Sequence, residues 1–340
     1  MLATQDFKSV SQLFSYLNSI HRKMSISTHI IIALNDREVT PKQVEEIAKD
    51  SGLISEFKKK AEDLYFFTAG ARINYDTGYL ILKKEFWVFI TDKDGYNVQR
   101  FIKNLHPILT LMYVDSDSIL KLIQESTKKF ELVNVVEGTL CSKGETFRNW
   151  KKEPIKFLIP SLNKMANKED AKWSGLTLLC YKDGESHLKL RISEQGHLAL
   201  YKGEFTNLYE VFLLPYMSEG LRIKNYFQNK ERKIMDGTIE LSPIFMNIKD
   251  ELSMGDIGLL KKALLKNYLG AVIHAGNPIL MMQITDRSDG SSFDVYASKQ
   301  KIEVVPLAKS SAASLTSVYS LISDLLPSIK MNANGGESGY

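Results

Sequence analysis

The chain has 340 residues, of which 44% are hydrophobic, 25% charged and 10% aromatic. That mixture suits folded domains and excludes a disordered or fibrous chain. Lysine and arginine (44) barely exceed aspartate and glutamate (40), for a net charge of +4, far below what dominant phosphate-backbone contacts would need.

Two cysteines, Cys141 and Cys180, build neither a disulfide framework nor a four-cysteine zinc site. The N-terminus has no basic stretch followed by an apolar one, and no apolar run approaches the roughly 20 residues of a spanning helix. The expected compartment is therefore the cytoplasm. At about 100–200 residues per domain, the length implies two or three domains.

In chain order, Phe7, Val10, Leu13, Phe14, Leu17 and Ile20 predict an amphipathic helix over residues 6–22. A β-branched strand follows, Thr28 to Leu34. Thr40-Pro41-Lys42-Gln43 has the residue types of a capping box with proline at the first helical position. That helix is expected to bend near Ser51-Gly52 and to continue through Leu53, Phe57, Ala61 and Leu64. Strands are predicted over 65–75, 78–84 and 86–92, turning at Asp76-Thr77-Gly78 and Lys83-Lys84-Glu85. A closing helix then buries Val98, Phe101, Ile102, Leu105 and Leu109.

The order strand, helix, three strands, helix recurs twice. The second unit has a strand from Phe130 to Leu140, a polar loop over 142–156 and a helix over 157–167. Strands at 175–181, 186–192 and 197–202 follow, joined by Asp183-Gly184 and Gln195-Gly196. Its closing helix starts at Leu208, Val211 and Phe212 and is shortened or kinked by Pro215. In the third unit Ile239 to Ile248 is extended and Leu259 to Tyr268 helical. Strands near 270–275, 279–285, 293–298 and 302–307 precede a helix that ends at Pro327. Ile102, Val211 and Val318 then fall at near-equal spacing on the three closing helices.

The expected architecture is α+β: three tandem units, each an antiparallel sheet packed against helices. They cover 1–130, 131–236 with a basic linker, and 237–330. Residues 331–340 form a polar, Gly-rich tail expected to be disordered.

The stretch Asp76 to Asp94, DTGYLILKKEFWVFITDKD, followed by the helix from Tyr96 to Leu109, resembles the central hairpin and closing helix of longin and roadblock-type domains. The resemblance covers about residues 76–110, is weaker over Ser292 to Leu326, and is weakest in the second unit. It implies longin-like units in tandem, as in small-GTPase regulators of membrane traffic. The implied partner is a small GTPase or a similar longin-like subunit, and no catalytic residue is transferred. The same element order also resembles the TATA-binding-protein-like repeat, a curved sheet under two helices. That likeness implies basic and aromatic residues on an exposed sheet face, for which Arg72, Tyr75, Lys83 and Trp87 are the candidates.

Chemistry-bearing motifs are sparse. A two-residue Asp183-Gly184 turn would set Cys180 opposite His187, but a two-residue Gln195-Gly196 turn would put His197 on the opposite face, leaving too few ligands for zinc. Asp92 and Asp94 read as turn residues, and Asp115 or Asp117 as a helix cap. No nucleophile elbow, dinucleotide fingerprint or P-loop occurs. No catalytic, cofactor or metal residue is assigned.

The densest basic run is Arg222, Lys224, Lys230, Arg232 and Lys233, interleaved with Tyr226 and Phe227. Such a mixture suits single-stranded nucleic acid or an anionic membrane surface, and it equally describes a solvated linker helix. The expected function is thus a non-enzymatic interaction protein that meets a protein partner through sheet edges and helix faces. The alternatives are a nucleic-acid-binding protein using 222–233, and an enzyme with a pocket between units whose residues the sequence does not name.

Overall fold

A computed structural model describes residues 6–23, 26–35, 39–71, 74–106, 108–143, 145–150, 155–168, 170–230, 233–235, 238–240, 242–249, 251–276, 279–307 and 309–331. It is a mixed α+β structure built on antiparallel sheets. The tail 332–340 lies outside the described residues. The chain divides into two compact units: Met1–Thr139, Arg148–Leu162 and Trp173–Gly220 form the first, and Leu140–Phe147, Asn163–Lys172 and Leu221–Tyr340 the second.

The chain opens with α1 (Val10–Lys23), β1 (Thr28–Asn35) and α2 (Pro41–Asp50). The capping box forms as expected: Thr40 N donates to Gln43 Oε1 at 2.9 Å, and Gln43 N donates to the Thr40 hydroxyl at 3.4 Å. The helix does not continue to Leu64. It stops at Asp50, and Gly52 sits at φ +60°, a conformation that suits glycine and breaks the helix. The apolar residues beyond it belong to β2 (Ile54–Ala61) and β3 (Leu64–Ala71), where Phe57 pairs with Phe67 and stacks on Tyr65. Cross-strand packing wins over helical spacing here.

Next come β4 (Asn74–Leu82), β5 (Phe86–Thr91), α3 (Tyr96–Asn104) and β6 (Leu109–Leu111). Asp76-Thr77-Gly78 is not a turn but lies inside β4. A Cβ at Gly78 would fall 1.9 Å from the Ile90 carbonyl oxygen, so glycine is there for close strand approach. Leu109 belongs to β6, not to the helix.

β1 lies beside β5, the last strand of a four-stranded meander, so the order is β2-β3-β4-β5-β1, with β6 also paired to β1. The three-strand expectation is corrected to four. α2 and α3 cover one face of this sheet, where Val44, Ala48, Val98, Phe101 and Ile102 join Tyr65, Phe67, Leu80, Trp87 and Phe89 in a core.

After α4 (Ser116–Ser126), β7 (Leu132–Ser142), β8 (Glu145–Trp150) and β9 (Ile155–Lys156) follow. The loop expected at 142–156 is therefore largely strand, β8 lying beside β7. Then come α5 (Ile159–Lys168), β10 (Lys172–Lys182), β11 (Glu185–Ser193) and β12 (His197–Lys202). β12 pairs with β1, extending the sheet as β1-β12-β11-β10-β7-β8.

α6 (Phe205–Leu208) runs through a π turn at Tyr209–Leu213 into α7 (Leu214–Gln228). Pro215 neither shortens nor ends this helix. The wide turn just before it, with Leu214 N donating to Tyr209 O, makes room for the proline ring, which otherwise collides with the carbonyl four residues back.

The rest comprises β13 (Lys233–Met235), β14 (Thr238–Glu240), β15 (Ile244–Ile248), α8 (Met254–Asn267), β16 (Leu269–Gly276), β17 (Ile279–Thr285), β18 (Ser292–Ala297), β19 (Lys301–Pro306), α9 (Ala312–Leu325) and β20 (Ile329–Met331). Their main sheet has the order β16-β17-β18-β19-β15-β20, and β13 pairs with β14 alone. Element for element, residues 244–331 repeat the path of residues 28–111. Each path is a strand, a helix, a four-stranded meander, a helix and a short strand, the first strand lying between the meander's last strand and the short one.

No helix among the described residues is long and apolar enough to cross a membrane.

Candidate functional site

The basic run is split by the fold. Arg222, Lys224, Tyr226 and Phe227 stand on α7, Lys230 follows its end, and Lys233 starts β13, while Arg232 lies outside the described residues. Phe227 is fully buried, its ring 5.7 Å from Tyr319, and Lys224 is buried as well. Neither presents itself to a strand of nucleic acid. Arg222 is exposed, Tyr226 and Lys230 half-buried, and Lys230 Nζ sits 5.6 Å over the Tyr226 ring. The structure thus brings Tyr226 and Lys230 together.

Among the residues of the TATA-binding-like reading, Trp87 is a core residue with no exposure. Lys83 pairs with Asp63 at 2.7 Å, Tyr75 is exposed under the Lys93 ammonium, and Arg72 lies outside the described residues.

The Asp183-Gly184 hairpin forms, both residues taking positive φ. A bulge displaces its register, however, so Cys180 pairs with Leu188 instead of His187. His187 Nε2 is 3.0 Å from Asn207 Nδ2, and the buried Cys180 thiol is pushed up to about 12 by desolvation, which makes it inert as a nucleophile. Among the described residues no group of three His, Cys, Asp or Glu side chains is placed to hold a metal ion.

His197 instead meets His29 of β1, their Nε2 and Nδ1 atoms 3.0 Å apart and the rings stacked. Burial lowers the pKa of both, His197 to about 4, while Asp94 and Asp92 oppose the shift at His29. On the same sheet face Arg191 donates to the Thr177 hydroxyl at 3.3 Å and to Thr139, and Lys189 Nζ lies 5.7 Å over the Tyr201 ring. The pairing of β1 with β12, which no local pattern announces, creates this cluster.

The carboxylates act on backbone. Asp115 caps α4, accepting from Ser118 N at 2.9 Å, and Asp94 accepts from Tyr96 N at 3.1 Å. Asp76 in β4 accepts from Asn97 N and Val98 N at 2.8 and 3.2 Å, supplying the start of α3 with the cap its own Gly95 lacks. In the second unit Asp289, in the loop before β18, accepts from the hydroxyls of Ser311 and Ser314 at the start of α9 and of Ser291 in its own loop.

One feature stands apart chemically. β16 is an edge strand whose residues are exposed except Val272 and Gly276, which are half-buried. Leu269 is 55% and Ile273 56% exposed, with Leu265 and Ile279 exposed on the neighbouring elements. No Asp, Glu, Lys or Arg occurs from Asn267 to Thr285. Its counterpart in the first unit, β2, is also an edge, but carries Glu56, Lys58, Lys59 and Lys60 and two register shifts. Lysines and bulges are the usual protection of an unpaired edge. β16 has one bulge, at Ile273, and no charge. The unbroken uncharged run was the sequence signal for it. Comparison with known protein families finds no family that matches the chain, and comparison with curated proteins finds no match either.

Proposed function

We propose that this chain is a non-enzymatic interaction protein that engages a protein partner by strand addition at β16. The observation that carries the reading is the contrast between two equivalent edges, β2 charged and β16 uncharged with large apolar side chains in solvent. Such an edge offers a row of backbone donors and acceptors, which give affinity, and alternate side chains, which give specificity. Exposed apolar clusters of this kind mark interaction surfaces.

The longin-like and TATA-binding-protein-like descriptions of the units belong to the same proposal. A sheet under two helices, α2 and α3, supports the latter description of the first unit. A small GTPase or a longin-like subunit fits as partner in so far as it offers a strand. The test is affinity capture with the wild type and with a Leu269→Lys/Ile273→Lys variant, each with and without nuclease. A protein partner retained after nuclease and lost with the lysines supports the reading. A partner lost with nuclease and kept by the variant would transfer the function to nucleic acid.

A further inference from the structure

Resting on that reading, we infer that the partner at β16 is a second copy of the same chain, paired antiparallel strand to strand about a two-fold axis. Three observations converge on this occupant. First, the free groups on an edge strand are main-chain N–H and C=O, so what covers them must itself be an open strand. β16 is such a strand, with no strand paired on its outer side among the described residues.

Second, a two-fold interface brings a surface against itself, so any charge on the seam would meet its like. The run Asn267 to Thr285 contains none. A strongly acidic or basic partner segment would find no counter-charge on this strand, whereas a second copy needs none.

Third, the apolar residues suit self-pairing. With the axis at Ala271, Leu269 of one copy stands opposite Ile273 of the other, and this happens twice. Gly270 faces Val272 in the same way, and the small Ala271 occupies the axis. Leu265 of α8, whose side chain lies within 3.5 Å of the Cβ position at Gly270, widens the apolar area beside the seam. The bulge falls at Ile273, the end of this five-residue stretch.

The experiment is the mass of the purified full chain by light scattering over a concentration series. Twice 38.6 kDa is expected for the wild type at micromolar concentration, and a single chain for Leu269→Lys/Ile273→Lys with an unchanged thermal melt. A second measurement checks the geometry. Ala271→Cys should give a disulfide-linked dimer under mild oxidant, whereas Ala61→Cys, on the protected edge β2, should not.

A monomer at every soluble concentration overturns the inference, as does a dimer that survives the lysines or cross-links equally through Ala61→Cys. If the pure chain is monomeric yet captures another protein in a lysine-sensitive way, the dimer falls and strand addition at β16 stands. If neither occurs, both fall.

Discussion

At the scale of single residues, the polar groups that matter are those buried with fixed partners. The Tyr216 hydroxyl donates to Ser193 O at 2.6 Å and accepts from Gly196 N at 3.0 Å, tying α7 to the turn between β11 and β12. Tyr216→Phe leaves both backbone groups orphaned in the interior, which costs about 1–3 kcal/mol. Denaturant unfolding should show that loss with an unchanged slope, and a variant as stable as wild type would mean water satisfies the turn. His21 and His197 are both held near pKa 4 by burial, against 6.5 when unfolded. The unfolded chain therefore binds protons that the folded chain does not. Stability is complete above about pH 6.5 and falls as pH drops towards 4, by at most about 1.4 kcal/mol per pH unit per histidine. Thermal melts across that range should show the acid limb, and His197→Gln should make it shallower. Caps at Thr40 and Asp115 were legible because donor and acceptor lie three residues apart. The Asp76 cap joins residues 21 and 22 apart across a β4–α3 contact, and no local pattern encodes it.

At the scale of elements, strands and helices with a strong period were legible, and the errors arose where long-range pairing competes with local spacing. The run from Leu53 to Leu64 satisfies a helical pattern, yet β3 offers it a ladder and an aromatic stack that a helix could not use. Pro215 reads as shortening or kinking the helix, but with the π turn before it the helix runs on to Gln228. That continuity determines which face of α7 is buried, and so removes Lys224 and Phe227 from the surface. With Arg222 exposed and Lys230 half-buried while Lys224 is buried, two phosphate contacts give a log–log salt slope of only about −1.4 for single-stranded nucleic acid. Oligonucleotide titrations at increasing salt should find weak binding with that shallow slope. A slope of about −3.5, the value for five contacts, would show that the whole basic run is engaged.

At the scale of the whole molecule, α+β class and most element order were readable, while sheet order was not. Which strand lies beside which depends on contacts distant in sequence, such as Ile30 against Leu198 or Ile244 against Val304. The repeat of residues 28–111 in 244–331 is accordingly clearer in topology than in residues. Because β1 is an interior strand with β12 on one side, a fragment of residues 1–130 would expose half of its ladder and the apolar face holding Ile30 and Ile32. That fragment should show no cooperative melt and should aggregate, whereas residues 1–220, which restore β12, α6 and Tyr216, should melt cooperatively. Cooperative unfolding of 1–130 would show that the β1–β12 pairing is dispensable.

The three lysines of β2 have a consequence beyond their own strand. A molecule with one receptive border can finish a complex, but a molecule with two can pass the association on. If copies of the chain pair at β16 as inferred above, Lys58, Lys59 and Lys60 keep the edge β2 from pairing in the same way. Neutralising them as Lys58→Thr, Lys59→Val and Lys60→Thr would give the chain a second receptive border. Electron microscopy of that variant should then reveal open-ended rods where the wild type yields discrete particles.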